Sequence, residues 1–70
     1  MKRQQVIKRL REAAKAAGLE FREVELTNHT GIVVGDFRSI IGRHREISEV
    51  TVKKFFKQYE SVLGEGWWQQ

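Results

Sequence analysis

TGIVVGDFRSII, the stretch at residues 30–41, contains two runs rich in β-branched residues, separated by Gly35 and Asp36. β-Branched side chains favour strands, and a glycine and aspartate between two such runs favour a tight turn. We therefore predict strands at 30–34 and 37–41 that are joined by this turn. A connection this short makes the strands antiparallel, because a parallel crossover needs about a dozen residues or more.

The residues before this hairpin predict a helix and one more strand. From Glu20 to Leu26, apolar and polar residues alternate imperfectly, which is typical of a half-buried strand. Farther upstream, apolar residues recur at intervals of three and four, which predicts a helix that is buried along one side and ends at Gly18. The apolar positions of this helix are Val6, Leu10, Ala13, Ala14 and Ala17.

The residues after the hairpin predict a second helix. Ser48 is suited to cap it, and Glu49 then lies at the positive end of the helix dipole. Its apolar positions also recur at three and four, and Gly64 is predicted to end it. They are Val52, Phe55, Phe56, Tyr59, Val62 and Leu63.

These elements predict an α+β fold with the order α-β-β-β-α. Consecutive strands with short connections form a three-stranded antiparallel sheet. Both helices are amphipathic, so we expect them to pack on one face of that sheet and to bury their apolar sides there. The other face is then open to solvent, and a functional site is expected on it.

Length and composition limit the class of protein. Seventy residues are enough for one small domain, residues 1–70, with its core at about 3–63 and a tail at 64–70. The absence of cysteine excludes disulfides and thiolate zinc sites, and we predict no metal or other cofactor. No run approaches the roughly 20 apolar residues of a membrane span, and the start lacks the pattern of a secretory signal. We therefore expect a cytoplasmic protein without a membrane partner.

The charge balance favours a polyanionic partner. Thirteen Lys and Arg against nine Asp and Glu give a net charge of +4, and the isoelectric point is near 9.9. Nucleic acid is the first candidate, although small soluble domains also carry such an excess for solubility. Lys8 and Lys15 lie with Arg11 on one side of the predicted first helix. That side is either an ordinary solvated surface or one that binds an RNA backbone.

His29 is the residue best suited to acid–base chemistry. It stands at the start of the second strand, and if Thr30 points toward the helices, alternation places His29 on the open face. An exposed imidazole beside an RNA backbone can remove the proton from a 2′-hydroxyl, so that the oxygen attacks the neighbouring phosphorus. A lone histidine in a strand is nevertheless more often a surface or packing residue.

Several other residues have both a binding and a structural interpretation. Arg38, Arg43 and Arg45 are suited to bind phosphates, or they keep a polar loop solvated. Gly31 removes side-chain bulk, either for an approaching ligand or for a bulge in the strand. The two adjacent tryptophans of the tail either stack on bases, anchor a partner or fold back over the edge of the core.

The motif NHT at 28–30, followed after the hairpin by RHREISE at 43–49, resembles the HicA toxins of bacterial type II toxin–antitoxin systems. The likeness covers most of the chain, from MKR at 1–3 and its helix to TVKKFF at 51–56. It implies a fold like that of the double-stranded RNA-binding domain. It also implies an endoribonuclease that cleaves messenger RNA without the ribosome, and a HicB-type antitoxin, encoded beside it, that binds and silences it.

In that family a single catalytic histidine lies on the second strand, and the resemblance implies this role for His29, without a metal. The chain departs from the family at Thr27, where glycine is usual, and at Gly42, where proline is common. Two other hypotheses remain open. One is a non-catalytic RNA-binding module of the same architecture. The other is a protein-interaction subunit that uses Trp67, Trp68 and the open sheet face.

Overall fold

The computed structural model describes residues 1–69. It confirms the α+β class and the predicted order of a helix, three antiparallel strands and a helical C-terminal part. Gln70, the last residue of the predicted tail, lies outside the described residues. The elements are α1 (Arg3–Ala16), β1 (Phe21–Glu25), β2 (Thr30–Val34), β3 (Phe37–Ile41), α2 (Glu49–Gln58), α3 (Glu60–Leu63) and a 3-10 turn at Trp67–Gln69.

The sheet has the order β1-β2-β3, with β2 in the centre. Side chains alternate along β2, and Thr30, Ile32 and Val34 are at most 1% exposed because they face the helices. The register pairs Thr30 with Ile41 on one side and with Glu25 on the other. The side chains of the intervening positions of β2 therefore face away from the helices, toward the open face.

The core lies between the helices and the covered face of the sheet. From α1 it receives Val6, Ile7, Leu10 and Ala14, and from α2 Val52, Phe55 and Phe56. Ala17, predicted in the apolar stripe, is exposed because α1 ends one residue earlier, and Ala13 is only half-buried. None of the helices in residues 1–69 is both long and apolar enough to cross a membrane.

The predicted second helix is interrupted at Tyr59, which corrects the expectation of one helix up to Gly64. The Tyr59 amide donates to the Phe56 carbonyl at 3.0 Å. This bond reaches the third preceding residue, as in a 3-10 helix, and not the fourth, as in an α-helix. Its hydroxyl is fixed in the core, where it donates to the Ile32 carbonyl at 2.8 Å. Burial raises the pKa of this hydroxyl. α2 thus ends at Gln58, and Gly64, with φ of 95°, ends the short α3 as predicted.

The tail folds back onto α2. Trp67 Nε1 donates to the Phe56 carbonyl at 2.8 Å, and the two rings meet edge to face with centroids 4.7 Å apart. The Trp68 carbonyl accepts a hydrogen bond from the Arg9 guanidinium. Of the three interpretations of the tryptophans, the contacts favour folding back over the edge of the core.

Candidate active site

His29 lies at the tight turn between β1 and β2. The Leu26 amide donates to the His29 carbonyl at 2.9 Å, so Thr27 and Asn28 form the centre of the turn. The structure places His29 one residue before β2 rather than within it. It is exposed, and because the next residue, Thr30, is buried against the helices, alternation directs His29 to the open face.

Arg43 holds this turn from the other side of the hairpin. Its guanidinium donates to the carbonyls of Leu26, Thr27 and His29, at 3.3 Å for Thr27 and 3.2 Å for His29. The same group lies 3.5 Å from the Glu25 carboxylate. Sequence analysis assigned Arg43 to phosphate binding. The structure gives it a structural task as well, since most of its donors are engaged by protein oxygens.

Arg3 is a second anchor at the same end of the sheet. Its Nε donates to the Gly42 carbonyl at 3.0 Å, and its Nη2 donates to Thr30 Oγ1 at 2.5 Å. Thr30 Oγ1 in turn donates to Glu25 Oε1 at 2.7 Å. Sequence analysis did not assign Arg3 to the site. The available signal was its spacing of three from Val6, which places this arginine on the buried side of α1.

A cationic cleft forms beside these anchors. It has a volume of about 420 Å³ and is lined by Lys2, Arg3, Gln4, Arg43 and Arg45, with no acidic residue among them. The start of α1 meets the 43–47 loop through two backbone hydrogen bonds, from Arg3 to the Arg45 carbonyl and from Ile47 to the Met1 carbonyl, both 2.9 Å. Positive groups that are about 40 residues apart in the chain thus converge at the end of the sheet that carries His29.

The predicted RNA-binding residues do not all lie together. Arg43 and Arg45 line the cationic cleft, and Lys8 is exposed one helical turn, about 6 Å, beyond Gln4 on the same side of α1. Lys15 lies about 10 Å farther along that helix. Arg38 pairs with Val33, so it lies four residues, about 13 Å, along the sheet from His29. An RNA chain must therefore extend well beyond the cleft to reach Lys15 or Arg38.

Gly31 lies in a regular part of β2 and not in a bulge, because the register runs without interruption through it on both sides. A Cβ atom there would lie 3.4 Å from the Val24 carbonyl oxygen and 3.8 Å from Leu26 Cδ1. The space above this glycine is therefore bordered by the neighbouring strand and by a side chain that leans over it. Val24, Leu26 and Ile40 are 36%, 41% and 50% exposed, and they make this part of the open face apolar.

Within residues 1–69, no group of three or more His, Cys, Asp or Glu residues is arranged to hold a metal ion. A scan against protein-family models gave no match, and searches of curated proteins and of solved structures gave none either. The site consists of one exposed imidazole, a turn fixed by an arginine and a cleft with four positive side chains.

Proposed function

We propose that this protein is a HicA-like endoribonuclease that cleaves messenger RNA with His29 as its general base. The observation that carries the proposal is the convergence of an exposed imidazole and the cationic cleft at one end of the sheet. The same end is held together by the contacts of Arg3 and Arg43, which preorganise it. The motif likeness to the HicA toxins agrees with this assignment.

The proposed reaction begins with the RNA backbone bound along the cleft. Lys2 and Arg45 hold phosphate oxygens, while Arg43 keeps the His29 turn in place. The imidazole removes the proton from a ribose 2′-hydroxyl, the 2′-oxygen attacks the adjoining phosphorus, and the bond to the 5′-oxygen breaks. The 5′-oxygen keeps the electron pair of that bond and takes up a proton to become a hydroxyl. The products are a 2′,3′-cyclic phosphate and a 5′-hydroxyl. A positioned general base accelerates such a step by about 10²–10⁴-fold.

The choice of RNA over DNA follows from this chemistry, because DNA lacks the attacking hydroxyl. Negative charge grows on the phosphoryl oxygens in the transition state, and the nearby cations stabilise it without having to reorganise. No step requires a metal ion. Binding is expected to weaken steeply as salt rises, since each phosphate contact releases condensed counterions.

The direct test compares purified wild type with His29→Gln on a messenger RNA, in buffer containing a chelator. We expect the substitution to lower the cleavage rate by about 10²–10⁴-fold while the melting temperature and RNA affinity stay unchanged, because the side chain is exposed. Equal rates for the two proteins would remove His29 from the mechanism.

The toxin role has a cellular test. Induction of the wild type in bacteria should arrest growth and cleave transcripts, whereas His29→Ala should do neither at equal protein levels. The proposed partner is a HicB-type antitoxin, and a partner that masks the cationic cleft needs an acidic contact surface. Co-expression of an antitoxin-like neighbouring reading frame should restore growth.

A non-catalytic RNA-binding module is the second candidate. It is favoured by the fact that the cleft and its neighbour Lys8 form a basic surface without any help from His29. This candidate predicts salt-sensitive binding with the RNA still intact after long incubation. Cleavage that persists in a chelator and depends on His29 would exclude it.

A further inference from the structure

We propose that His44 is a second catalytic residue, the general acid that protonates the leaving 5′-oxygen. This inference rests on the proposed ribonuclease function and adds a residue to its mechanism. The chain contains two histidines, and both lie near Gly42, His29 by the strand register and His44 by the position of its ring. Gly42 is the residue that connects them.

The sheet register relates His29 to Gly42. Thr30 pairs with Ile41, so one step farther along the ladder His29 lies opposite Gly42, with Cα atoms expected about 4.5–5.5 Å apart. The Arg43 guanidinium donates to the His29 carbonyl at 3.2 Å, so Arg43 and His29 are also close in space beyond the last ladder pair. The Arg3 contact to the Gly42 carbonyl fixes the same segment.

Gly42 also relates His29 to His44. A Cβ atom built on Gly42 would meet only His44 Cδ2 within 4 Å, at 3.7 Å. That missing Cβ would point to the open face, as does the side chain of Ile40 two residues earlier. The His44 ring therefore borders the space above Gly42 on one side, and His29 borders it across the ladder. Because Gly42 has no side chain, this space is free for a phosphodiester group.

The surroundings of His44 leave its ring accessible to a substrate. His44 is exposed and stands at one end of a groove of about 430 Å³ between β3 and α2. The charged residues that line this groove with it are Glu46 from its own loop and Lys54 from α2. Glu25, which lies 3.5 Å from Arg43, pairs with Thr30 and therefore shares the covered face with it, whereas His29 faces the open side. The alternative is that His44 only keeps the loop solvated.

The complete step then uses both imidazoles. Neutral His29 accepts the 2′-hydroxyl proton as the bond from the 2′-oxygen to phosphorus forms. Protonated His44 gives its proton to the 5′-oxygen as the bond from phosphorus to that oxygen breaks. The electron pair of the broken bond stays on the 5′-oxygen, and one proton has moved from the substrate to His29 and one from His44 to the product.

The test uses an RNA in which sulfur replaces the bridging 5′-oxygen at one cleavage site. A thiolate leaves without help from an acid, because a thiol has a pKa of about 8.5, far below that of an alcohol. We expect His44→Ala to lower the cleavage rate of the oxygen substrate by about 10²–10⁴-fold. The cleavage rate of the sulfur substrate by this variant should stay within a few-fold of the wild-type rate. His29→Ala should stay slow on both substrates.

Two controls separate this result from a folding defect. His44→Gln should behave as His44→Ala does, and Lys57→Ala, an exposed cation of α2 outside the cleft and the groove, should match wild type on both substrates. If His44→Ala cleaves both substrates at the wild-type rate, or loses activity equally on both, the inference is overturned. A wild type that cleaves neither substrate overturns the proposed function itself.

The pH profile gives an independent readout. A mechanism with one base and one acid produces a rate that rises as the base loses its proton and falls as the acid loses its own. Wild type should therefore show a bell-shaped profile on the oxygen substrate. In His44→Ala the fall of the cleavage rate on the alkaline side should disappear. An unchanged bell-shaped profile would show that another group is the acid.

Discussion

The two ends of the sheet are built in different ways. At the β2–β3 end, Gly35 adopts a φ of 59°, and its amide donates to the Glu20 carbonyl at 2.9 Å. Leu19 packs where a Cβ on Gly35 would point, at 3.4 Å. This turn therefore combines a glycine in the left-handed region with a backbone hydrogen bond and an apolar contact to the residues just before β1.

The turn at the β1–β2 end contains no glycine in the left-handed region. No residue other than glycine has a positive φ within the described chain, so the turn at Thr27 and Asn28 cannot be of the types that match the twist of a hairpin. Arg43 supplies the support from 14 to 17 residues away. One end is thus held by a glycine turn with a backbone hydrogen bond and an apolar contact, the other by the guanidinium of Arg43, and the second end carries His29.

The largest effect is expected from Arg43→Ala, which removes the only described side-chain contacts to the carbonyls of the His29 turn. Hydrogen bonds to charged groups contribute about 1.5–3 kcal/mol, so the free energy of unfolding should fall by about that amount. RNA cleavage should fall with it. Urea denaturation and a cleavage assay measure the two. Arg43→Lys should not restore either, because an ammonium lacks the planar fork of donors.

Gly35→Ala acts at the opposite end. A residue with a Cβ in the left-handed region is less stable by about 1–2 kcal/mol, so unfolding should occur at lower urea concentration. The cleavage rate should stay at the wild-type value well below the melting temperature. A loss of cleavage comparable to that of Arg43→Ala would show that the two ends are not separate.

The cationic cleft lies at the β1–β2 end of the sheet, and its role is tested by removing two of its charges. In Lys2→Ala combined with Arg45→Ala, RNA binding should weaken, and the slope of log affinity against log salt should fall by about 1.4 if both residues contact a single-stranded phosphate backbone. Lys57→Ala, which removes a cation elsewhere on the surface, should leave the slope unchanged. Equal slopes in all three proteins would contradict binding in the cleft.

The smallest effect is expected from substitutions that give the β1–β2 turn a sequence suited to a hairpin. Thr27→Asn with Asn28→Gly creates an Asn-Gly pair, which favours the positive φ values of a well-matched hairpin turn. In the Arg43→Ala background we expect the free energy of unfolding to rise, and to rise less in the wild type, where Arg43 already holds the turn. Equal gains in both backgrounds would mean that Arg43 does not support the turn.

Sequence patterns predicted the parts that depend on near neighbours. Both strands of the hairpin begin and end where expected, because β-branched residues and Gly35 specify them locally. The exposure of His29 followed from the alternation that starts at Thr30. These predictions needed only the alternation of residues in strands, the spacing of three and four in helices, and the turn signal at Gly35.

The parts that depend on distant contacts were not predictable in this way. The cleft forms because the start of α1 lies against the 43–47 loop, and the hydroxyl of Tyr59, where the helix is interrupted, bonds to the carbonyl of Ile32 in the sheet. The roles of Arg3 and Arg43 depend on carbonyls far from them in the chain. Spacing within one element carries no information about such pairs.

The most direct measurement is the chemical nature of the RNA ends after cleavage by the wild type in a chelator. If an imidazole at the β1–β2 end activates a 2′-hydroxyl, each cut leaves a 2′,3′-cyclic phosphate and a 5′-hydroxyl, and a single 2′-deoxy substitution at a cut site prevents cleavage there. A 3′-hydroxyl with a 5′-phosphate, or cleavage at the 2′-deoxy position, would contradict the account.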